Sequence, residues 1–190
     1  MRIIAGRHRG RKLVAPAGTA TRPSADRVRQ ALFDMLWHAP WAGRSAVDGA
    51  VVLDAFAGTG ALGLEALSRG ASRAAFLETD AAALRALRAN IAACREGERC
   101  AVLAADARRP PPAPAACALV FLDPPYGEGL VETSLRALSA AGWVAPGALV
   151  CAETLAGPGG ATAPAGFALL AERAHGSARV LFLRPAGGGA

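Results

Sequence analysis

The sequence predicts an α/β fold: a central, mostly parallel seven-stranded sheet with helices on both faces, preceded by a basic β-hairpin and a helix. Three observations carry that expectation. From Ala50 onwards, short apolar runs alternate with segments of helical spacing, the pattern of a parallel sheet covered on both sides. A glycine-rich segment, Gly58-Thr-Gly60-Ala-Leu-Gly63, joins the first run to the first helical segment. A length of 190 residues suits one domain of this kind.

The elements follow in order. Arg2 to Ala5 and Arg11 to Val14 read as two short strands around the turn Gly6-Arg-His-Arg-Gly10. Pro16 to Pro23 is a loop. Ser24 is placed to cap a helix in which Val28, Leu32, Met35 and Leu36 share a face, up to about Trp37. Residues 38–49 connect to the main domain, so the chain is expected to divide into an N-terminal extension, 1–40, and a domain, 41–190. Val51 to Asp54 is the first strand of that domain, and Ala61 to Arg69 a helix stopped by Gly70. Arg73 to Glu78 is the second strand, followed by a helix from Asp80 to about Cys94. Cys100 to Ala104 is the third strand and leads to Asp106. A proline-rich loop, 108–116, precedes the fourth strand, Cys117 to Leu122. A helix at 129–140 and a fifth strand at 148–153 come next. Beyond the Gly/Pro/Ala-rich loop 156–166, residues 167–173 and 179–183 read as two closing strands, antiparallel to each other.

Composition excludes several classes. Apolar residues make up 53% of the chain, but alanine inflates that figure, and no run approaches the eighteen or more apolar residues of a membrane span. The N-terminus lacks the apolar core of a signal peptide. A cytoplasmic protein with no membrane partner is the expectation. Cys94, Cys100, Cys117 and Cys151 form no C-x-x-C pair and have no histidine at ligand spacing, which favours buried free thiols over zinc ligands or disulfides, so no metal is expected.

Charge is unevenly spread. Residues 1–30 hold eight basic side chains (Arg2, Arg7, Arg9, Arg11, Lys12, Arg22, Arg27 and Arg29) against the one acid Asp26. That is +7, more than the +6 of the whole chain, so the remaining residues sum to −1. A polyanion is the natural partner, with Arg7, Arg9, Arg11, Lys12, Arg22 and Arg27 as candidate phosphate contacts.

The most informative motif is Asp123-Pro124-Pro125-Tyr126, directly after the fourth strand. An exocyclic base nitrogen is a poor nucleophile because its lone pair is delocalised into the ring. Hydrogen bonds from its two N–H groups to the Asp123 carboxylate and the Pro124 carbonyl would localise that lone pair toward an electrophile. Tyr126 would stack on the base, and the prolines would keep the turn rigid and free of competing donors. Taken alone, the same tetrapeptide also describes an ordinary turn after a strand.

The segment Asp54-Ala55-Phe56-Ala-Gly58-Thr-Gly60 brings backbone close to a ligand at a helix N-terminus. Glu78, eighteen residues beyond Gly60, is placed to accept the hydroxyls of an adenosine ribose. That much suits a nicotinamide cofactor equally well. Three features favour S-adenosyl-L-methionine. Asp54 would sit poorly beside a pyrophosphate but well beside a cationic methionine group. Asp106 ends the third strand, where its carboxylate or adjacent backbone can reach an adenine amino group. Asp123 and its prolines end the fourth strand, so four successive strand ends carry an acid at one sheet edge.

On the residues 1–13 (MRIIAGRHRGRKL), 22–36 (RPSADRVRQALFDML), 53–71 (LDAFAGTGALGLEALSRGA) and 122–130 (LDPPYGEGL), with Glu78 and Asp106, the chain resembles the RsmD family of bacterial small-subunit ribosomal RNA guanine-N2 methyltransferases. The resemblance implies a Rossmann-like, class I S-adenosylmethionine-dependent methyltransferase fold. It also implies methylation of the 2-amino group of one guanine in 16S rRNA, on the 30S subunit or an assembly intermediate, by a monomer. Asp123, Pro124, Pro125 and Tyr126 would then be catalytic, and Asp54, Ala55, Phe56, Gly58, Gly60, Glu78 and Asp106 would line the cofactor pocket. The sequence departs from the family pattern at Gln30, where an acid is usual, and at Ala174-His-Gly-Ser177, where a more basic turn is usual. Three other functions compete. An adenine-N6 DNA methyltransferase shares the DPPY motif but needs a target-recognition domain that is not evident here. A non-catalytic nucleic-acid-binding protein would not need four acids at the strand ends. A nicotinamide oxidoreductase would need a proton donor near the fourth strand.

Overall fold

The computed structural model describes residues 1–16, 23–125, 129–157 and 162–187. Four helices and seven strands appear there: α1 (Pro23–His38), β1 (Val51–Asp54), α2 (Ala61–Ser68), β2 (Arg73–Glu78), α3 (Ala81–Cys94), β3 (Cys100–Ala104), β4 (Cys117–Leu122), α4 (Leu130–Ala140), β5 (Val144–Leu155), β6 (Phe167–His175) and β7 (Ala178–Pro185). Asp80 caps α3 by accepting from Ala83 N at 2.7 Å, which supplies one of the four donors a helix start leaves unpaired. The Ser24 side chain proposed as a cap for α1 lies outside the described residues.

One sheet carries all seven strands in the order β3-β2-β1-β4-β5-β7-β6. The expectation of a mostly parallel sheet is corrected: the sheet is mixed. The pairs β3·β2, β2·β1, β1·β4 and β4·β5 are parallel, whereas β5·β7 and β7·β6 are antiparallel. Parallel neighbours require a crossover, supplied by α2, α3 and α4 in the first part of the chain. Beyond β5 no helix intervenes among the described residues. Strands β6 and β7 form a hairpin, and β7 inserts between its partner and β5.

Each central strand is buried on both faces, and its alternate residues enter two cores. Val52, Phe76, Phe121 and Phe182 join one core with Leu32, Phe33, Leu36 and Leu64. Leu53, Leu77, Val120 and Leu181 join the other with Leu135, Leu138 and Trp143. The fully buried Trp143 donates through Nε1 to Pro111 O at 2.8 Å, which pins the proline-rich loop. The four cysteines are unpaired; three are buried and Cys100 is half-buried.

The N-terminal hairpin appears as one antiparallel bridge, Arg2 with Lys12, rather than two strands. Ile3 N donates to Arg11 O at 2.9 Å and Leu13 N to Met1 O at 3.2 Å across the ribbon, while Ile4 N and Ala5 N donate to Glu65 at 2.7 and 3.0 Å and Arg7 N to Ser68 O at 2.9 Å, so the ribbon is bonded both to itself and to α2. Ile3 and Leu13 are buried in the first core, with α1 and the central strands. Among the described residues no helix is long and apolar enough to cross a membrane.

Candidate active site

Strand order reverses beside β1: the chain passes outward from β1 to β2 and β3, then returns to place β4 on the other side. Loops leaving the carboxyl ends of β1 and β4 therefore diverge, and a crevice opens between them. Asp54 ends β1, and Asp123 follows the last residue of β4. Two adjoining cavities occupy the crevice. The larger, about 890 Å³, is lined by Ala55, Phe56, Gly58, Glu78, Asp106, Asp123, Pro124 and Pro125. The smaller, about 500 Å³, is lined by Asp54, Phe56, Gly58, Asp123 and Glu153, with Met1, Arg29 and the His175–Ala178 turn across from them. Phe56, Gly58 and Asp123 belong to both walls.

The loop after β1 is tied down on both sides, because Ala55 N donates to Phe121 O of β4 and Ala57 N to Leu77 O of β2, each at 3.0 Å. Its glycines divide the work. Gly58 has φ +52° and open space where a side chain would project, so ligand atoms can approach its backbone. Gly60, expected in the pocket, lines neither cavity; a Cβ there would lie 2.4 Å from Leu87 Cδ1. Its role is to seat α2 against α3.

Asp54 is 1% exposed. Its Oδ2 accepts from Gly63 N at 2.9 Å, while Oδ1 is buried without a hydrogen-bond partner. Burial pushes its pKa up to about 7; the Gly63 bond opposes that shift, and the charge of Glu78 adds to it. A buried, unpartnered acceptor on a cavity wall fits a cationic donor, as the sequence suggested.

Glu78 is already engaged. Oε2 accepts from Gly58 N at 2.7 Å, and Oε1 accepts from Thr79 N at 2.7 Å and Asp80 N at 2.8 Å. An ionised carboxylate has about four acceptor sites, so Glu78 shapes the glycine loop first and keeps one site for a ligand hydroxyl, fewer than the pair expected. Asp106 is likewise occupied. Both its oxygens accept from the Arg108 guanidinium, which holds its carboxyl below the usual carboxylate range. An adenine amino group would meet the backbone beside it.

Asp123 is exposed to the cavities but walled by protein elsewhere. Loss of water around it, then the neighbouring charges of Glu153 and Asp54, push its pKa up to about 7. Pro124 is buried behind it and Pro125 faces outward. Tyr126 lies outside the described residues, as does Arg22.

The other basic candidates separate into two groups. Arg7 donates from Nε and Nη2 to Leu67 O near the end of α2, and Arg11 from Nη1 to Ala93 O near the end of α3, each meeting a carbonyl in the last turn of a helix, where a cation is favoured. Arg9, Lys12 and Arg27 are exposed. Sequence reasoning passed over the acid that organises this region. Glu65 is fully buried, accepts from Ile4 N, Ala5 N and Arg69 Nε, and lies 3.7 Å from Arg29 Nε. The signal was present: an acid inside the apolar helix ALGLEALS. Asn90, also buried, accepts from Val14 N and donates to Val14 O and Thr59 O.

Residues 1–184 match the family described as Conserved hypothetical protein 95, the RsmD family. The chain belongs to that family. It is 39% identical over 180 residues to ribosomal RNA small subunit methyltransferase D of Escherichia coli strain K12, covering 93% of this chain and 85% of that protein. The protein of the same description from Haemophilus influenzae is 37% identical, over 81% of this chain and 78% of its own length. Among solved structures, a proposed methyltransferase of Escherichia coli, yhhF, superposes with TM-score 0.82 at 36% identity, covering 97% of each chain. A proposed methylase from Haemophilus influenzae gives 0.77 at 31% identity, over 97% of this chain and 98% of that one. As an RsmD-family protein, the chain is a methyltransferase of the α/β class, and the crevice at the ends of β1 and β4 is its candidate active site.

Proposed function

We propose that this protein methylates the exocyclic N2 amino group of one guanine in 16S rRNA, on the 30S subunit or an assembly intermediate, with S-adenosyl-L-methionine as donor. The observation that carries the reading is Asp123: an acceptor at the end of β4, open to both cavities and backed by two prolines, at the reversal point where a cofactor and a base can meet.

The residues fit the donor. Asp54 Oδ1, buried and unpartnered, would hold a cationic methionine group; Gly58 leaves its backbone open; Glu78 has one acceptor site for a ribose hydroxyl. When bound, S-adenosylmethionine supplies an electrophilic methyl group. The chain's own part is positioning. Asp123 accepts from one amine N–H and the Pro124 carbonyl from the other, so the hydrogens are drawn out of the ring plane and the nitrogen lone pair is localised. An ionised Asp123 can also accept the proton that the nitrogen sheds on alkylation. Tyr126 is assigned to stacking on the base from the sequence motif alone.

The basic N-terminal extension, 1–40, is the proposed RNA contact. Met1, Val28, Arg29 and Leu32 form part of the wall of the smaller cavity, so phosphates held by Arg9, Lys12 and Arg27 would lie near an entering base. Unpaired or loop guanines are the easier targets, because extruding a stacked base costs a few kcal/mol. The protein would act as a monomer in the cytoplasm. Transfer of labelled methyl groups to small-subunit particles, naked rRNA and duplex DNA tests the reading, together with mass spectrometry of rRNA from a strain lacking the protein. Label confined to DNA would overturn it.

A further inference from the structure

The motif at the end of β4 fits any exocyclic amine, and adenine and cytosine carry one as well as guanine. A second carboxylate beside it separates them. Strands β4 and β5 are parallel, with Leu122 opposite Ala152. Asp123 and Glu153 are the next residues, so they stand side by side on strands about 4.8 Å apart. Both line the 500 Å³ cavity, and the charge of Glu153 acts directly on Asp123. The unpartnered Oδ1 of buried Asp54 lines the same cavity. This wall of the site consists of acceptors, and it calls for a ligand that presents donors.

The bases differ in what flanks the amine. In adenine and cytosine the neighbouring ring nitrogen is a bare acceptor. Guanine alone has a ring N–H, at N1, next to its amine. Two adjacent carboxylates match that donor–donor edge and repel a donor–acceptor edge.

We propose that Glu153 selects guanine by accepting a hydrogen bond from the N1–H of the base while Asp123 holds its 2-amino group. This rests on the amine-methylation reading of the site and adds the residue that chooses the base. Sites built to bind a substrate N–H reject analogues lacking it by as much as roughly 10⁴-fold, because their own polar group is left unpaired.

The test compares two small-subunit RNA fragments, carrying either guanine or 2-aminopurine at the nucleotide that the wild-type protein methylates. 2-Aminopurine keeps the 2-amino group and lacks the N1–H. The wild type should favour guanine by about 100-fold or more in kcat/KM. Glu153→Gln, whose amide can turn either its oxygen or its nitrogen to the ring, should bring that preference within about tenfold while its thermal midpoint stays near that of the wild type. Two outcomes overturn the proposal: a wild-type ratio near one, which no variant's folding can affect, or a Gln variant that loses activity equally on both RNAs. Failure of the methylation reading itself looks different, since the wild type would then leave no N2-methylguanosine in any RNA, and both conclusions would fall together.

Discussion

Glu65, within α2, and Asp54, at the end of β1, are two buried acids of the same strand–helix unit, and their surroundings differ sharply. Glu65 is 0% exposed and is met by two backbone N–H groups, Arg69 and Arg29. Asp54 is 1% exposed and is met by one N–H, with Oδ1 unpartnered beside a cavity. Burying a carboxylate is costly unless it is paired and hydrogen-bonded. At Glu65 the fold meets that requirement itself and gains an anchor for the N-terminal ribbon. At Asp54 the requirement is left open, which suits a site whose ligand completes it.

The contrast can be broken from either side. Glu65→Ala should have the largest effect on stability, about 3–5 kcal/mol, because it strands two backbone donors and Arg69 Nε and takes the carboxylate from beside the buried Arg29. At about 2–4 °C per kcal/mol for a chain of this size, calorimetry should show the midpoint falling by roughly 6 °C or more; an unchanged midpoint would mean that the ribbon does not depend on this acid.

Asp123→Ala should leave the fold intact and lower kcat by on the order of 10²- to 10³-fold. Cofactor affinity, measured by titration calorimetry, should move far less. The wild-type rate should also rise with pH through about 7, because an ionised Asp123 is the stronger acceptor of the amine donors and alone can take up the amine's proton, and its pKa lies near 7. Glu153→Gln removes a charge that raises that pKa, so the profile should shift to lower pH.

Asp54→Asn should act in opposite directions on stability and binding. The folded-state pKa of Asp54, about 7, lies above its ordinary 3.8. The folded state is therefore favoured by protonation, and stability is lost as pH rises from about 4 through 7. The Asn variant keeps an acceptor for Gly63 N and carries no charge. It should melt above the wild type at pH 8, by a few kcal/mol at most at about 1.4 kcal/mol per pKa unit, and near it at pH 4, while binding the cofactor more weakly. A lower midpoint at pH 8 would show that Asp54 is satisfied by the fold after all.

The smallest effects separate the arginines of the ribbon. Neutralising Arg9 and Lys12 should flatten the salt dependence of RNA binding by about 0.7–0.9 in log–log slope per lost phosphate contact, with little change in melting. Arg7→Gln should lower the melting midpoint by a few degrees, because the Leu67 carbonyl loses the charged donor that joins the ribbon to the end of α2 and keeps only Gly70 N at 3.3 Å. Identical behaviour of the two would erase the division between holding the helix end and holding RNA.

Much of this arrangement was legible in the sequence. Strands 51–54, 73–78, 100–104 and 117–122 appear where hydrophobic patterning places them, because buried strands must be apolar and helices must be amphipathic wherever they are packed. The four acids at strand ends were legible for a related reason, since a polar residue that closes an apolar run marks the edge of a sheet. The antiparallel pair after β5 was legible too, but its place in the sheet was not: either strand of a hairpin can pair with β5, and only the packing of Leu181 and Leu183 into the second core shows β7 there. The partners of individual charges were hidden too: Arg7 and Arg9 are equivalent in sequence, yet one reaches the end of α2 and the other faces solvent.

Local pattern therefore determined the strands, the helices, the glycine loop and the acids at the sheet edge, because each depends on residues close together in the chain. Which acids are satisfied and which are left open was decided by tertiary structure alone. The backbone donors of Glu65 come from residues some sixty positions away, the neighbour of Asp123 comes from β5, and contacts over such separations exist only once the sheet has brought the elements together.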